Sequence, residues 1–157
     1  MEIPSLAQIK KELSFLTEAE LIEVIADLAK FSRDNKAFLF FKLNEKYQPN
    51  LFLELAKEDI ELAFQQANVR SSYTAKKAAQ TIRRKMNKIL KLSKNKADQA
   101  ELIIYFCEML QKFGYISYRN PVISNLYQVQ LGKAKKLISF LHEDLQSDFE
   151  YRLEDLE

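Results

Sequence analysis

The residues with the clearest chemical potential are the cations of one segment in the middle of the chain. Residues 74–96, TAKKAAQTIRRKMNKILKLSKNK, contain nine lysines and arginines and no aspartate or glutamate. Such side chains bind phosphates, and each neutralised phosphate releases counterion, so the affinity depends on salt. The segment is therefore a candidate surface for a polyanion such as RNA or DNA.

Tyrosines near this segment could add contacts to unpaired bases. Tyr73 precedes the segment, and GYISYRN at residues 114–120 supplies Tyr118 and Arg119. Aromatic rings beside cations can stack on bases, although no named nucleic-acid motif accompanies them. The candidate polyanion-binding residues are Lys76, Lys77, Arg83, Arg84, Lys88, Lys91, Tyr73, Tyr118 and Arg119.

The same segment also has a purely structural interpretation. On a helical wheel, alanines and Met86 gather around Ile82, and the cations fall on the opposite side. The flanks are acidic, because residues 1–61 hold 8 basic and 12 acidic side chains and residues 98–157 hold 6 and 10. Acidic rows on neighbouring helices could therefore neutralise the cations. Both interpretations stay open on the sequence.

The other reactive side chains form no recognisable catalytic or metal site. No glutamate stands three residues before the single histidine, His142, so the Glu-x-x-His pairs of a di-iron bundle are missing. Cys107 lies in LIIYFCEML, where apolar surroundings predict a buried, unreactive thiol. Gly132-Lys133 does not end a phosphate loop, since alanine replaces Ser/Thr after it. We therefore predict no catalytic residue, no metal and no cofactor, and that the chain is not an enzyme.

Length and composition indicate one helical domain. The chain has 157 residues, of which 47% are hydrophobic and 29% charged, with only two glycines and three prolines. Folds with many tight turns need more of both. A lone cysteine cannot form an internal disulfide, and no apolar run has the length of a membrane span. We predict a single all-α domain over residues 1–157, in the cytoplasm and without a membrane segment.

Hydrophobic periodicity predicts about eight helices joined by short connections. The predicted helices begin near residues 5, 17, 35, 52, 73, 97, 121 and 147. Short connections favour antiparallel neighbours. The expected fold is therefore about eight helices packed as antiparallel αα-hairpins, which can wind into a short right-handed superhelix.

Local signals add expectations about individual helices. Capping boxes are predicted at Thr17 and Ser147, and a left-handed C-terminal cap at Gly114. Gly132 predicts a kink or split in the helix that begins at residue 121. The helix at residues 35–47 contains AFLFFKL, which is apolar nearly all round and predicts a buried helix.

Two stretches of the chain resemble an uncharacterised bacterial family of small all-helical proteins, a domain of unknown function. The first, in residues 5–43, contains SLAQIKKELSFLTEAELIEVIADLAK and NKAFLFFKL. The second, in residues 74–141, contains AKKAAQTIRRKM and AELIIYFCEMLQKFG. The resemblance implies a helical-hairpin or superhelical fold similar to helical repeats. It implies no activity.

Two functions follow as hypotheses from these observations. The first is a non-enzymatic helical interaction module, an adaptor that recognises another protein, because helical hairpins are present and catalytic residues are not. The alternative is nucleic-acid binding through the basic segment. A membrane surface is not expected as a partner, since the apolar face of the segment is rich in alanine and lacks large aromatics. The sequence leaves the oligomeric state open.

Overall fold

The computed structural model describes residues 1–157, and every regular element in it is helical. The eight α-helices are α1 (Leu6–Leu13), α2 (Glu18–Phe31), α3 (Arg33–Asn44), α4 (Leu51–Gln65), α5 (Ser72–Leu90), α6 (Lys96–Lys112), α7 (Pro121–Ile138) and α8 (Glu143–Leu156). A short 3-10 helix, Tyr115–Tyr118, lies between α6 and α7. The prediction of an all-α fold with about eight helices is confirmed. The hairpin arrangement and the superhelix stay predictions.

By its internal contacts the chain divides into two compact units, Met1–Leu43 and Asn44–Glu157. We call them the N-terminal unit and the C-terminal unit. A division by contacts does not measure independent folding, so one domain over residues 1–157 stays a prediction. None of the helices combines the length and the apolar character needed to cross a membrane.

The C-terminal unit is built around α6. This helix packs against α4, α5, α7 and α8, and eight of its 17 residues are buried. The ring centroid of Phe64 in α4 lies 5.7 Å from that of Phe106, 5.5 Å from that of Phe113 and 5.3 Å from that of Tyr115. This aromatic cluster ties α4 to the C-terminal end of α6. A helix that is apolar on most sides is stable here because neighbours cover it on most sides.

The N-terminal unit contains α1, α2 and α3 up to Leu43, and none of its residues is buried. No two of its helices are closely packed on each other. The prediction of a buried helix at residues 35–47 is therefore wrong, since Phe38, Phe40 and Leu43 are exposed. An apolar run makes burial favourable, but it does not by itself bury the helix.

Two predicted caps are confirmed in detail. The Thr17 hydroxyl accepts from the Glu20 amide at 3.3 Å, and the Glu20 carboxylate accepts from the Thr17 amide at 2.7 Å. These bonds lower the pKa of Glu20 below its usual value. Gly114 has φ 73°, in the left-handed region that glycine adopts without penalty. It ends α6 and turns the chain into the 3-10 helix.

Two local predictions on the last helices differ from the structure. The helix α7 runs from Pro121 to Ile138 without a split at Gly132, so the split is excluded and a kink there stays a prediction. The last helix begins at Glu143 rather than after Ser147, because the His142 ring accepts from the Asp144 amide at 3.5 Å. The Ser147 hydroxyl instead donates to the Glu143 carbonyl at 3.3 Å, inside the helix. A cap one turn earlier therefore overrides the Ser147 signal.

Candidate functional site

The helix α5 and its C-cap residue Lys91 carry a row of exposed cations on the side opposite the packed face of the helix. Its packed face consists of the buried residues Ala75, Ala79, Ile82 and Met86. Lys77, Arg84, Lys88 and Lys91 are exposed and follow at spacings of seven, four and three residues, which places them along one side of a helix. We call these four residues the basic row. With a rise of 1.5 Å per residue, the row is about 21 Å long.

The basic row forms no ion pair within the protein. No carboxylate oxygen lies within 4.0 Å of any of its four cations. The cation of α5 that does have such a partner is Lys85, whose Nζ lies 3.2 Å from a carboxylate oxygen of Asp59. Neutralisation by acidic rows on neighbouring helices, one of the two interpretations of the sequence, therefore accounts for Lys85 and not for the basic row.

One acidic side chain of the neighbouring helix α4, Glu61, is engaged by a cation outside α5. Glu61 accepts hydrogen bonds from Lys112 Nζ at 2.9 Å and from the Tyr105 hydroxyl at 3.2 Å, and both lower its pKa. Burial and this bond raise the pKa of Tyr105 to about 12. Glu61 of α4, which could have neutralised a cation of α5, therefore binds Lys112 and Tyr105 of α6 instead.

A second network joins three helices around Glu101 of α6. Lys57 Nζ and Arg152 Nη1 each lie 2.5 Å from its carboxylate, and Arg152 Nε lies 2.8 Å from Glu108. Burial opposes the ionisation of Glu101, but the two hydrogen bonds outweigh it and hold its pKa below the usual 4.5. The same contacts raise the pKa of Arg152. These charges hold α4, α6 and α8 together and are not available to a ligand.

Two further candidate cations flank the basic row and are half-buried. Lys76 and Arg83 lie toward the packed side of α5. The Nε of Arg83 has no contact with solvent and no hydrogen-bond acceptor. A substitution at Arg83 would therefore disturb packing as well as charge, whereas the basic row can be changed with little effect on the core.

The predicted aromatic and loop candidates have different surroundings. Tyr73 is exposed at the start of α5, and Lys77 Nζ and Lys76 Nζ lie 4.5 and 5.1 Å from its ring centroid. Its hydrogen bond with Lys77 lowers the pKa of the phenol. Tyr118 is half-buried, and its hydroxyl donates to the Val69 carbonyl, which holds the connection before α5. Arg119 is exposed, with φ 48°.

A cleft of about 450 Å³ opens beside the first half of α5. Small or apolar side chains line it together with Lys77 and Lys85; they include Ala63, Ala67, Ala78 and Ile82. The volume is within the range of small-molecule sites. The basic row therefore begins next to a concave surface with an apolar lining.

The remaining reactive residues have structural surroundings. Cys107 is fully buried, and burial raises the pKa of its thiol to about 12, so the prediction of a buried thiol is confirmed. His142 is an exposed helix cap, with Nδ1 3.4 Å from Asp144. No group of three or more histidine, cysteine, aspartate or glutamate side chains is placed to hold a metal ion.

Sequence reasoning missed an apolar surface on the N-terminal unit. Ile22, Ile25 and Leu28 of α2, which we call the α2 stripe, are 61%, 45% and 57% exposed. Their spacing of three residues puts them on one side of the helix. No local signal in the sequence could have revealed this surface, because α8 has 14 residues like α2 and yet contributes three buried side chains.

Comparison of the chain with protein-family models, with curated proteins and with solved structures gives no match. The resemblance to a bacterial all-helical family stays a prediction, and function has to be argued from the two surfaces themselves.

Proposed function

We propose that the chain is a non-enzymatic protein that binds RNA or DNA through the basic row of α5. The observation that supports the proposal is the row itself: four exposed cations along about 21 Å of helix, none with a carboxylate within 4.0 Å. Like charges three or four residues apart on a helix cost a few tenths of a kcal/mol per pair, and Arg84, Lys88 and Lys91 have this spacing. A phosphate backbone would neutralise them.

The surroundings of the row favour a nucleic acid over a small anion. Phosphates on one strand of duplex DNA repeat about every 3.4 Å along the axis, so a row of this length faces several of them at once. Tyr73 lies at the N-terminal end of the row beside Lys76 and Lys77, where a ring can stack on an unpaired base. The neighbouring cleft has apolar side chains that could contact a base or sugar.

The test is a binding titration with labelled single-stranded RNA and with duplex DNA between about 50 and 200 mM salt. Four phosphate contacts give a slope of log K against log salt of about −2.8 for a single strand and about −3.6 for a duplex. Replacing Arg84 and Lys88 by glutamine removes two contacts, so we expect both slopes to become shallower by about 1.4 to 1.8.

The matched control changes the same number of charges elsewhere in the C-terminal unit. Lys133→Gln with Lys136→Gln removes two exposed cations of α7 and leaves the basic row intact. We expect its slope to equal that of the unaltered protein. Absence of binding to either nucleic acid, or equal slopes for both double variants, would contradict the proposal.

A second candidate function is a helical adaptor that recognises another protein. The observation that favours it is the N-terminal unit, in which 23 of 43 residues are hydrophobic and none is buried. Monomeric proteins seldom expose large contiguous apolar surfaces unless a partner covers them. The α2 stripe is the part of the unit where such a partner would dock.

The adaptor is tested with Ile25→Glu in the α2 stripe and Val129→Glu in α7 as the control. The two residues are 45% and 43% exposed, both are β-branched and both lie within helices. An adaptor would lose binding to a purified partner protein with Ile25→Glu and keep it with Val129→Glu. A partner that binds both variants equally would show that the α2 stripe is not its docking surface.

A further inference from the structure

The cleft beside α5 and the basic row lie on adjoining sides of the same helix. Residues of α5 that line the cleft follow at spacings of three and four, which places them along one side of the helix; they are Thr74, Lys77, Ala78, Thr81, Ile82 and Lys85. From the turn of an α-helix, the middle of this side lies about 80° around the axis from the basic row. Lys77 belongs to both surfaces, so a ligand bound along the row passes the edge of the cleft.

The charges of the cleft favour a ligand with an anionic group. None of the side chains that line it is acidic, and the charged ones are Lys77 and Lys85. Lys85 is already held by α4, since its Nζ lies 3.2 Å from a carboxylate oxygen of Asp59 and donates to the Asp59 carbonyl at 3.1 Å. Lys77 is exposed and forms no ion pair. An anionic group therefore binds at Lys77, on the edge that the cleft shares with the basic row.

The lining of the cleft suits a flat apolar group with polar edges. Ala63, Ala67 and Ala78 are half-buried in its walls, so a group that covers them removes further apolar area from water. The side-chain amides of Gln66 and Asn68 belong to the same lining, and their NH2 groups are hydrogen-bond donors. A nucleobase combines an apolar face with an edge that accepts such hydrogen bonds, and proteins recognise unpaired bases through both.

We propose that the cleft binds one unpaired base of a single-stranded nucleic acid whose phosphates lie along the basic row. The proposal rests on the nucleic-acid binding proposed above and adds to it a preference for single strands. A base in a duplex has to leave its stack before it can enter a cleft, which costs free energy. Arg84, Lys88 and Lys91 continue along the helix from Lys77, so a strand gains contacts that a free mononucleotide does not make.

The variants for the test fill the cleft from two different helices without changing a charge. Ala78→Leu of α5 and Ala63→Leu of α4 each place a larger side chain in the cleft, and leucine is a good helix former. Ala97→Leu is the matched control, because Ala97 is a half-buried alanine of α6 that does not line the cleft. Unchanged binding of a duplex shows that a variant keeps its fold and its basic row.

The probes are a short single-stranded DNA, the same strand with its bases removed, its duplex and adenosine monophosphate. We expect the unaltered protein to bind the intact strand most tightly. Ala78→Leu and Ala63→Leu should each weaken binding of the intact strand about tenfold and leave the affinities for the base-free strand and the duplex unchanged. Ala97→Leu should bind all four probes as the unaltered protein does. Adenosine monophosphate bound as tightly as the strand would overturn the proposal, because the basic row would then contribute nothing.

The cleft and the nucleic-acid function fail in distinguishable ways. Absence of binding to every strand and duplex would remove both. Salt slopes that still depend on Arg84 and Lys88, together with equal affinities of Ala78→Leu, Ala63→Leu and Ala97→Leu for the intact strand, would overturn the cleft as a base site and leave the function. Equal affinities of the unaltered protein for the intact and the base-free strand would do the same.

Discussion

The N-terminal and C-terminal units use similar side chains in opposite ways. In the N-terminal unit 23 of 43 residues are hydrophobic, a larger share than the 47% of the whole chain, and yet all 26 buried hydrophobic residues belong to the C-terminal unit. The C-terminal unit exposes a row of like charges instead. Apolar content alone therefore does not predict a core, because a core also requires a helix with neighbours on several sides.

The neighbours of α6 account for the difference. Four helices pack on it, so its apolar residues lose contact with water on most sides. The helices of the N-terminal unit are not closely packed on one another. The hydrophobic effect is roughly proportional to the apolar area removed from water. Leucine and phenylalanine side chains therefore stabilise the C-terminal unit, where they are buried, and contribute less to the N-terminal unit, where they stay exposed.

The units should differ most in how much the free energy of unfolding falls when one phenylalanine in each is replaced by alanine. Phe64 is 2% exposed at the centre of the aromatic cluster, and Phe31 at the end of α2 is 88% exposed. Phe64→Ala should lower the free energy of unfolding by about 3–5 kcal/mol, while Phe31→Ala should change it by less than about 0.5 kcal/mol. The measurement is denaturant unfolding at concentrations where the chain is monomeric. Equal losses would show that the N-terminal unit has a core after all.

A smaller difference concerns acid stability. The pKa of Glu101 in the C-terminal unit is lowered, so the folded state binds fewer protons than the unfolded state. Stability from this group is present above about pH 4.5 and is lost as the pH falls through its lowered pKa. Glu101→Gln should cost about 1–3 kcal/mol near pH 7 and progressively less below pH 4.5.

A second carboxyl on α6, Asp98, has a pKa shifted in the direction opposite to that of Glu101. Burial raises the pKa of Asp98 above its usual 3.8, so this carboxyl has the opposite sign and destabilises the fold as the pH rises through its raised pKa. The difference between the unaltered protein and Glu101→Gln, measured by unfolding at each pH, reports Glu101 together with its effect on Asp98, because the charge of Glu101 also raises the pKa of Asp98. A difference that stays constant from pH 7 to pH 3 would mean that its contacts with Lys57 and Arg152 do not depend on charge.

The sequence was sufficient to predict the features that depend on residues close together along the chain. The eight helices follow from hydrophobic periodicity, and the Thr17 box and the Gly114 cap involve groups within one helical turn. The two faces of α5 were predicted on the same basis, because 3.6 residues per turn fix which side chains share a side. The buried thiol of Cys107 followed from the apolar residues beside it.

The features that sequence reasoning missed depend on which helices meet. Arg152 forms a hydrogen bond with Glu101, which lies 51 residues earlier in the chain, and no local sequence pattern predicts such a pair. Whether Lys88 or Lys85 has a carboxylate partner depends on where α4 lies. The exposure of Phe38 and Leu43 in α3 has the same origin, since an apolar run indicates that burial is favourable and does not show how much of it the fold buries.

The smallest expected effect lies inside the core of the C-terminal unit, which is not wholly apolar. Gln130 of α7 is fully buried, and neither its amide nitrogen nor its amide oxygen has a hydrogen-bond partner. A buried polar group without a partner forfeits its hydration. Gln130→Leu, of similar size, should therefore raise the free energy of unfolding by about 1 kcal/mol.

Gln128→Leu is the control for this change, because Gln128 is exposed on the same helix and should alter stability by less than about 0.5 kcal/mol. Both variants are measured by denaturant unfolding alongside the unaltered protein. If Gln130→Leu destabilises the protein, the amide must have a partner in solution, such as a buried water, and the C-terminal core contains a polar site. If both variants leave stability unchanged, residue 130 is less enclosed than the residues around it. The core of the C-terminal unit would then be less completely buried than the side chains indicate, and the two units would differ less in burial.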